Sequence, residues 1–302
     1  MKLDNYIFLN KIFIRLLYII PLVFLSLYEK NAFSQNSDLQ KELSSNIVGS
    51  NIKVSELSKP SLGSLGVNTK ANKLLGLNIW QNMNAEEIIE HLNYIPDTLA
   101  SKYLQNFLND LYLSTSVPPI GKSDEILKFL ETRLFKIKNS GQSNNLYQLV
   151  TQLPNGERWK IWRRWQIEYE LITRQDKKAC QFINNESKVN FENFWQMARI
   201  FCLSIEGKRD QSKFILDLIK SRGFEDQNFE VLFQSIYNET NSIDFKKIKN
   251  KIQPLHLVMM DTLKIPIRAN YIAHLGIEYT DSLLSLNYLT SKARSFLLDK
   301  KI

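Results

Sequence analysis

The spacing of apolar residues from Leu74 onward predicts a series of amphipathic helices. Apolar side chains recur three and four positions apart with polar residues between them, which is the period of a helix with one buried face. No stretch shows the sustained alternation of apolar and polar residues that indicates a half-buried strand. The pattern therefore predicts an all-α fold.

Capping residues and prolines place the helix ends. Asn84 and Glu87 form a capping-box pattern, so a helix is expected to begin there and to run to about Tyr94. A second helix is expected from Pro96 until residues 117–119, where two prolines prevent its continuation. The apolar stripe predicted for this second helix is Leu99, Tyr103, Leu104, Phe107, Leu108 and Leu111. Later helices are predicted over residues 226–238, 270–279 and 282–298.

A unit of helix, polar turn and helix recurs in the middle of the chain. Its three copies cover Thr132–Val150, Tyr169–Ile183 and Phe201–Ile215. The turn residues, at spacings of 34 and 32, are Gly141, Gln175 and Gly207. A period of about 34 residues with two helices per unit is typical of tetratricopeptide-like repeats. We therefore expect residues 71–302 to form αα-hairpins stacked as a short tetratricopeptide-like solenoid, the alternative being an all-α domain without a repeat.

The first 34 residues have the layout of a secretory signal peptide. Basic residues precede an apolar run of 12 residues, Leu16–Leu27, and the segment ends in the small-x-small sequence of residues 32–34. The run is shorter than the roughly 20 residues that cross a bilayer. Export to the periplasm with cleavage after Ser34 is therefore expected, the alternative being an uncleaved membrane anchor. Residues 35–70, rich in Ser, Asn and Lys, are predicted to form a flexible linker.

Composition limits the kinds of site that the chain can hold. Its 302 residues include two Cys and three His, too few for a disulfide-dense scaffold or a recognisable zinc site. With 39 Lys and Arg against 31 Asp and Glu the net charge is +8, and without residues 1–34 it is +6. For an exported chain this excess either serves solubility or favours an acidic partner or an anionic envelope surface over nucleic acid.

No arrangement of side chains in the sequence predicts catalysis or a cofactor. Gly121–Ser123 resembles the end of a phosphate-binding loop, but Ser116 stands where that motif requires a glycine. Glu186 and Ser187 resemble only the first two residues of the lytic transglycosylase motif. The histidines, which lie far apart in the sequence, are His91, His256 and His274. We therefore expect a protein that is not an enzyme and that holds no metal or cofactor.

Aromatic and basic residues are concentrated in residues 157–170. The positions that share one face of a helix, and so predict a core stripe, are Trp162, Trp165, Tyr169 and Ile172. Arg164 can pair with Glu168 one turn later. Trp159 and Arg163 lie off the stripe, and they are the candidates for an aromatic and cationic surface that contacts a partner peptide or glycan.

Cys180 and Cys202 are the candidates for a disulfide. The hairpin pattern places them in neighbouring antiparallel helices, and an exported chain meets an oxidising compartment. A bond closing about 22 residues stabilises a fold by about 3 kcal/mol in the chain-entropy account. The two cysteines lie at unequal distances from their turns, which leaves two separately buried thiols as the alternative.

Three stretches carry a resemblance to known proteins. They are LGLNIWQNMNAEEIIEHLNYIP, the two-proline stop after Leu113, and FWQMARIFCLSIEGKRDQSKFILDLIKSRG at residues 194–223. With them, over about residues 74–279, the chain resembles a group of exported, uncharacterised helical-repeat proteins of alphaproteobacteria that are sometimes misnamed antifreeze glycopeptide polyproteins. The resemblance implies a periplasmic all-α protein and no particular activity.

The sequence favours a non-enzymatic periplasmic helical-repeat protein that binds another envelope protein or peptide through a solenoid groove. One alternative is an accessory superhelix that binds peptidoglycan within a cell-wall enzyme system. A second is an envelope protein held at the membrane by its uncleaved amino-terminal segment. No nucleic-acid partner is expected.

Overall fold

The structure is a computed structural model that describes residues 61–67, 75–240, 248–249 and 251–300. Within these ranges the chain forms 13 α-helices and no β-strand, so the prediction of an all-α fold is confirmed. No helix in the same ranges is long and apolar enough to span a membrane. The predicted signal peptide, its cleavage after Ser34 and most of the predicted linker lie outside the described residues.

Three helices form the amino-terminal part of the domain. They are α1 (Ala85–Tyr94), α2 (Lys102–Leu113) and α3 (Ser123–Asn139). Both α1 and α2 pack on α3. Helix α1 begins where the sequence predicts, because Asn84 Oδ1 accepts hydrogen bonds from the backbone N–H groups of Glu86 (2.8 Å) and Glu87 (3.3 Å).

Helix α2 differs from its prediction in both its start and its buried face. It begins only at Lys102, because Ser101 Oγ caps it by accepting from the N–H of Leu104 at 3.4 Å. Half of the predicted stripe is exposed, namely Tyr103, Leu104 and Phe107. The residues of α2 that are buried are Leu108, Asn109, Tyr112 and Leu113. The prediction was wrong because the rest of the domain covers only the carboxyl-terminal half of α2.

Residues 61–67 pack on the helical domain, although they fall within the predicted linker. The short 3-10 turn at Leu62–Ser64 lies on α3, and the N–H of Val67 donates to Leu113 O at 2.9 Å. Gly63 is buried there, and a Cβ at this position would lie 2.4 Å from Ile126 Cγ2. This close approach requires glycine, and it makes residues 61–67 part of the folded domain.

Helices α3 to α9 follow one another as antiparallel pairs. After α3 come α4 (Ser143–Val150), α5 (Lys160–Ile172), α6 (Asp176–Glu186), α7 (Asn193–Ile205), α8 (Arg209–Ser221) and α9 (Gln227–Tyr237). Each helix from α3 to α7 packs on the next along the chain, and α9 packs on α7. The pairs are α3 with α4, α5 with α6, and α7 with α8.

The same turn ends α3, α5, α7 and α9. Its residue with positive φ is Gly141 (74°), Arg174 (59°), Gly207 (75°) and Glu239 (53°), at spacings of 33, 33 and 32 residues. The N–H of the following residue donates to the C=O five positions earlier, at 2.8–3.2 Å, as in a Schellman cap. The turn position in the second copy is therefore Arg174, and the predicted Gln175 is one residue too late.

Two hydrophobic clusters meet at α5. Trp162, Trp165 and Tyr169 pack into the cluster formed with α1 to α4. Ile167, Leu171 and Ile172 pack into the cluster formed with the helices that follow. The predicted stripe is therefore buried, with Ile172 on the second cluster rather than the first. The helix has core on both sides.

The carboxyl-terminal segment folds back onto the earlier helices. Helix α10 (Pro254–Thr262) packs on α5 and α9, and every residue from Leu255 to Asp261 is buried. Two short helices follow, α11 (Ala269–Ile272) and α12 (Thr280–Leu283), and then α13 (Ser291–Lys300). The long helices predicted over residues 270–279 and 282–298 were wrong in extent. The N–H of Ile267 donates to Tyr288 O at 2.7 Å, and the N–H of Thr290 donates to Ile267 O at 3.0 Å. These two bonds pair residue 267 with residues 288–290 as extended backbone.

Candidate binding surfaces

The two residues proposed from the sequence as a partner surface, Trp159 and Arg163, line one groove. This α6 groove lies between α6, the start of α5 and the connection that precedes α5, and its volume is about 470 Å³. Side chains that line it include Trp159, Arg163, Phe182, Asn185, Glu186 and Trp195. The groove is therefore aromatic on its walls and carries an amide and a carboxylate at one edge.

Trp159 forms a buried wall of the α6 groove instead of an exposed platform. Its side chain is 5% exposed and belongs to the first hydrophobic cluster. The sequence predicted that Trp159 lies off the buried stripe, because the predicted helix already included residue 159. In the structure Trp159 closes a 3-10 turn at Glu157–Trp159, and α5 begins at Lys160, so the ring turns toward the core.

Arg163 is occupied by its own chain. Its guanidinium donates to Gln166 Oε1 at 2.6 Å, to Leu153 O at 3.1 Å and to Asn155 Oδ1 at 3.3 Å. It also lies 5.5 Å from the centre of the Phe182 ring. Burial lowers the pKa of Arg163, although nearby carboxylates oppose the shift. Arg163 therefore holds the connection before α5 in place and is not the free cation that the sequence suggested.

A second concave region, the α5 cleft, lies between α5 and the carboxyl-terminal segment and has a volume of about 430 Å³. At its polar end Glu168 accepts from Tyr279 Oη at 2.5 Å and from Arg164 Nε at 3.2 Å, so the predicted Arg164–Glu168 pair is confirmed. Burial raises the pKa of the Glu168 carboxyl, against the effect of these two donors. Burial, and then the charge of Glu168, raise the pKa of Tyr279.

Each carboxylate oxygen of Glu168 has a hydrogen-bond donor from the chain itself. A buried carboxyl with a raised pKa is a general-acid candidate only if it can reach a substrate. Here Tyr279 binds one carboxylate oxygen, Oε2, and Arg164 binds the other, Oε1. The arrangement joins α5 to the segment that leads into α12.

Cys180 on α6 and Cys202 on α7 form a disulfide. Their Cα atoms are 5.5 Å apart, within the ordinary range for such a bond, and both side chains are buried. Helices α6 and α7 pack directly on each other, which brings the two cysteines together despite their unequal distances from the turns. The bond joins one helix pair to the next and closes a segment of 22 residues.

The three histidines lie on separate elements. His256 is buried on α10, where Nδ1 accepts from the N–H of Gln253 at 3.1 Å and Nε2 lies 3.2 Å from Asp226 Oδ2. A ring nitrogen of His274 lies 2.8 Å from Ile252 O. In the part of the chain that the structure describes, no group of three or more His, Cys, Asp or Glu side chains could hold a metal ion.

A third concave region, the α8 groove, was not found from the sequence. It lies between α8, the first half of α7 and the connection before α7, and its volume is about 600 Å³. Phe191 and Phe214 in its lining are 67% and 69% exposed. The sequence did hold a signal for this groove, because the apolar face of α8 is wider than one neighbouring helix can cover. Ile215 and Ile219 are buried, whereas Phe214 and Leu218 on the same face stay exposed.

Comparisons of the chain with protein-family models, with curated proteins and with solved structures found no match. The function must therefore be inferred from the surfaces of the chain itself. Of the three concave regions, the α8 groove has the most exposed aromatic side chains. Hydrogen bonds and ion pairs of the chain's own residues close part of the α6 groove and of the α5 cleft.

Proposed function

We propose that this chain is a non-enzymatic, tetratricopeptide-like helical-repeat protein that binds another envelope protein or peptide. The recurring turn with positive φ supports a repeat of 33 residues, close to the period of about 34 for such repeats. The buried positions follow the same spacing. On the first helices, fully buried residues 33 apart are Leu134, Ile167, Ile200 and Phe233, and on the second helices they are Leu146, Ala179 and Ser212.

We infer that a partner binds away from the concave side of the repeat. In a helical solenoid the first helices of successive pairs line the concave side. Here α10 packs on the first helices α5 and α9 and is itself buried, so the chain's own segment takes up that space. A partner would then bind at the edge formed by the second helices and the connections between pairs.

The observation that carries the proposal is the exposure of Phe191 and Phe214 in the α8 groove. Soluble proteins rarely leave several large apolar side chains exposed in one concave patch unless it binds something. Polypeptide segments bind such patches by inserting a few apolar anchors into a groove between helices. The groove thus fits a protein partner better than a small polar metabolite.

Location in the periplasm is part of the same proposal. The sequence of residues 1–34 supports export, and a disulfide between Cys180 and Cys202 suits an oxidising compartment. The membrane-anchored alternative predicts intact Met1 in the membrane fraction. Cleavage after Ser34 predicts Gln35 as the first residue of the soluble protein, so amino-terminal sequencing separates the two.

One observation favours a second candidate function, binding of peptidoglycan. The α6 groove combines three aromatic rings with the side chains of Asn185 and Glu186, and glycan sites use such a combination of flat apolar walls and hydrogen-bonding groups. In this case the chain would be the accessory superhelix of a cell-wall enzyme system, with catalysis on another protein.

Two binding experiments on the full wild-type protein distinguish these two functions. Affinity capture from envelope extracts is expected to retain one protein in stoichiometric amount, with little retention of the chain on purified peptidoglycan. The opposite result, retention on peptidoglycan that is lost in Asn185→Ala and Glu186→Gln, would replace the proposal with the second function. A protein that neither captures a partner nor sediments with peptidoglycan would contradict both.

A further inference from the structure

The charges around the α8 groove are unbalanced. Lys188, Arg199 and Arg222 line it, and none of these side chains makes a hydrogen bond or ion pair to another described residue. Asp210 is the one carboxylate among the described residues that line the groove. Basic residues that line the α5 cleft are paired instead, Arg164 with Glu168 and Lys138 with Glu278. An excess of unpaired cations in a concave patch favours an anionic ligand.

The apolar side chains of the α8 groove form a row. Phe214 and Leu218 lie one turn apart on α8, and Phe191 faces them from the connection before α7. Their exposures are 69%, 38% and 67%. Ile215 and Ile219, nearly buried, make the floor. A row of this kind accepts apolar residues three or four positions apart on a partner helix.

The α6 groove occupies the equivalent place one repeat earlier, yet the chain's own side chains close part of it. At a spacing of 33 residues Phe182 corresponds to Ile215, Asn185 to Leu218 and Glu186 to Ile219. The α6 groove is therefore polar where the α8 groove is apolar. In addition, the Trp195 ring packs 6.0 Å from the Phe182 ring and Arg163 covers its face. No described side chain covers Phe214 in this way, which leaves the α8 groove open to a partner.

We propose that the α8 groove binds an acidic amphipathic helix of a partner protein. This inference rests on the proposed function, and it adds the site and the chemistry of the partner segment. Apolar side chains of the partner helix enter the row formed by Phe191, Phe214 and Leu218. Asp and Glu residues on either side of them pair with Lys188, Arg199 and Arg222. Neutral and basic helices bind more weakly, because they leave these cations unpaired on burial.

Two synthetic helical peptides test the chemistry with the full chain. Both carry Leu and Phe at positions i, i+3, i+4 and i+7, and their flanking residues are Glu in one peptide and Lys in the other. We expect the acidic peptide to bind at least tenfold more tightly, measured by fluorescence anisotropy at low salt. Its affinity should fall as NaCl is raised, because salt screens the partly exposed pairs.

Variants of exposed residues place the binding in the groove. Phe214→Ser is expected to weaken the acidic peptide at least tenfold, and Lys188→Glu with Arg222→Glu is expected to remove its advantage over the basic peptide. Tyr103→Ser, which removes an aromatic ring 90% exposed on α2, is the matched control and should change nothing. All four positions are exposed, so circular dichroism should show an unchanged fold in each variant.

Three results would overturn the inference. They are equal affinity for the two peptides, unchanged affinity in Phe214→Ser, and a wild-type dimer that Phe214→Ser converts to a monomer, since a second copy of the chain would then occupy the groove. If affinity capture retains a partner equally on wild type and Phe214→Ser, the groove assignment fails while the proposed function stands. If no partner is captured at all, the proposed function fails independently of the peptide result.

Discussion

Arg163 and Gln196, 33 residues apart on α5 and α7, hold the chain segment before their helix in the same way. Arg163 Nη2 donates to Leu153 O at 3.1 Å, and Gln196 Nε2 donates to Ser187 O at 2.9 Å. Each carbonyl belongs to the few residues that follow the second helix of the preceding pair. Carbonyl groups at the end of a helix have no hydrogen-bond donor within that helix. The side chains of Arg163 and Gln196 act as donors to them from the next helix pair.

Gln196→Ala should therefore destabilise the junction between the second and third pairs. Gln196 also donates to Asn190 O at 2.9 Å, and the side chain is buried, so alanine leaves two carbonyl groups without this donor. We expect a loss of about 2 kcal/mol in the free energy of unfolding, measured with urea. Gln211→Ala, at an exposed position of α8, is the control and should change stability by less than about 0.5 kcal/mol. A loss no larger than that of the control would show that the contact is not structural.

Gly207→Ala tests the recurring turn. Gly207 has a φ of 75°, and a Cβ added there would meet no neighbouring atom within 4 Å, so alanine is opposed by backbone conformation alone. We expect a destabilisation of about 1 kcal/mol, and a smaller one for Gly207→Asn because asparagine tolerates the left-handed region better. Equal stability of the wild type and Gly207→Ala would mean that residue 207 does not adopt this turn.

The Cys180–Cys202 disulfide should contribute about 3 kcal/mol to stability by restricting the unfolded chain. The variant with alanine at both positions and the reduced wild-type protein should both unfold at lower denaturant concentration. Comparison of the two separates loss of the bond from loss of the sulfur atoms. Alkylation without reduction should leave the mass of the protein unchanged. Addition of two alkyl groups to the unreduced protein would show that the two cysteines are free thiols and that the disulfide is absent.

Glu168 should make the stability of the protein depend on pH in a definite direction. Because burial raises the pKa of Glu168 in the folded state, its contribution is fully present below the pKa of the unfolded chain and is lost as pH rises through the folded value. Glu168→Gln does not titrate. The stability of the variant relative to wild type is therefore expected to increase from pH 4 to pH 7, measured by urea unfolding at each pH. A difference that is constant across this range would contradict the assignment.

The elements set by local chemistry could be predicted from the sequence. The cap at Asn84 correctly predicted the start of α1. The helical period of the apolar residues correctly predicted the burial of Trp162, Trp165 and Tyr169. Both depend on residues within a few positions of one another. The repeated turns were also visible, since Gly141 and Gly207 mark two of them.

Features set by tertiary packing could not be predicted. Arg174 adopts a positive φ at a turn where glycine is usual, and ion pairs to Asp176 (2.8 Å) and to the buried Asp261 (3.3 Å) hold it there. The burial of α10 gave no amphipathic signal, because a helix with core on all sides has no polar face. The open α8 groove likewise depends on which neighbours leave Phe214 uncovered.

Hydrogen exchange of the full chain with and without its captured partner, or with the acidic peptide, tests the central claim most directly. If the α8 groove is the binding surface, amides in residues 187–191 and 209–222 should exchange more slowly in the complex, while those of α10 (residues 254–262) should not change. Protection confined to the α6 groove, or faster exchange in α10 as a partner displaces it from α5 and α9, would contradict the account.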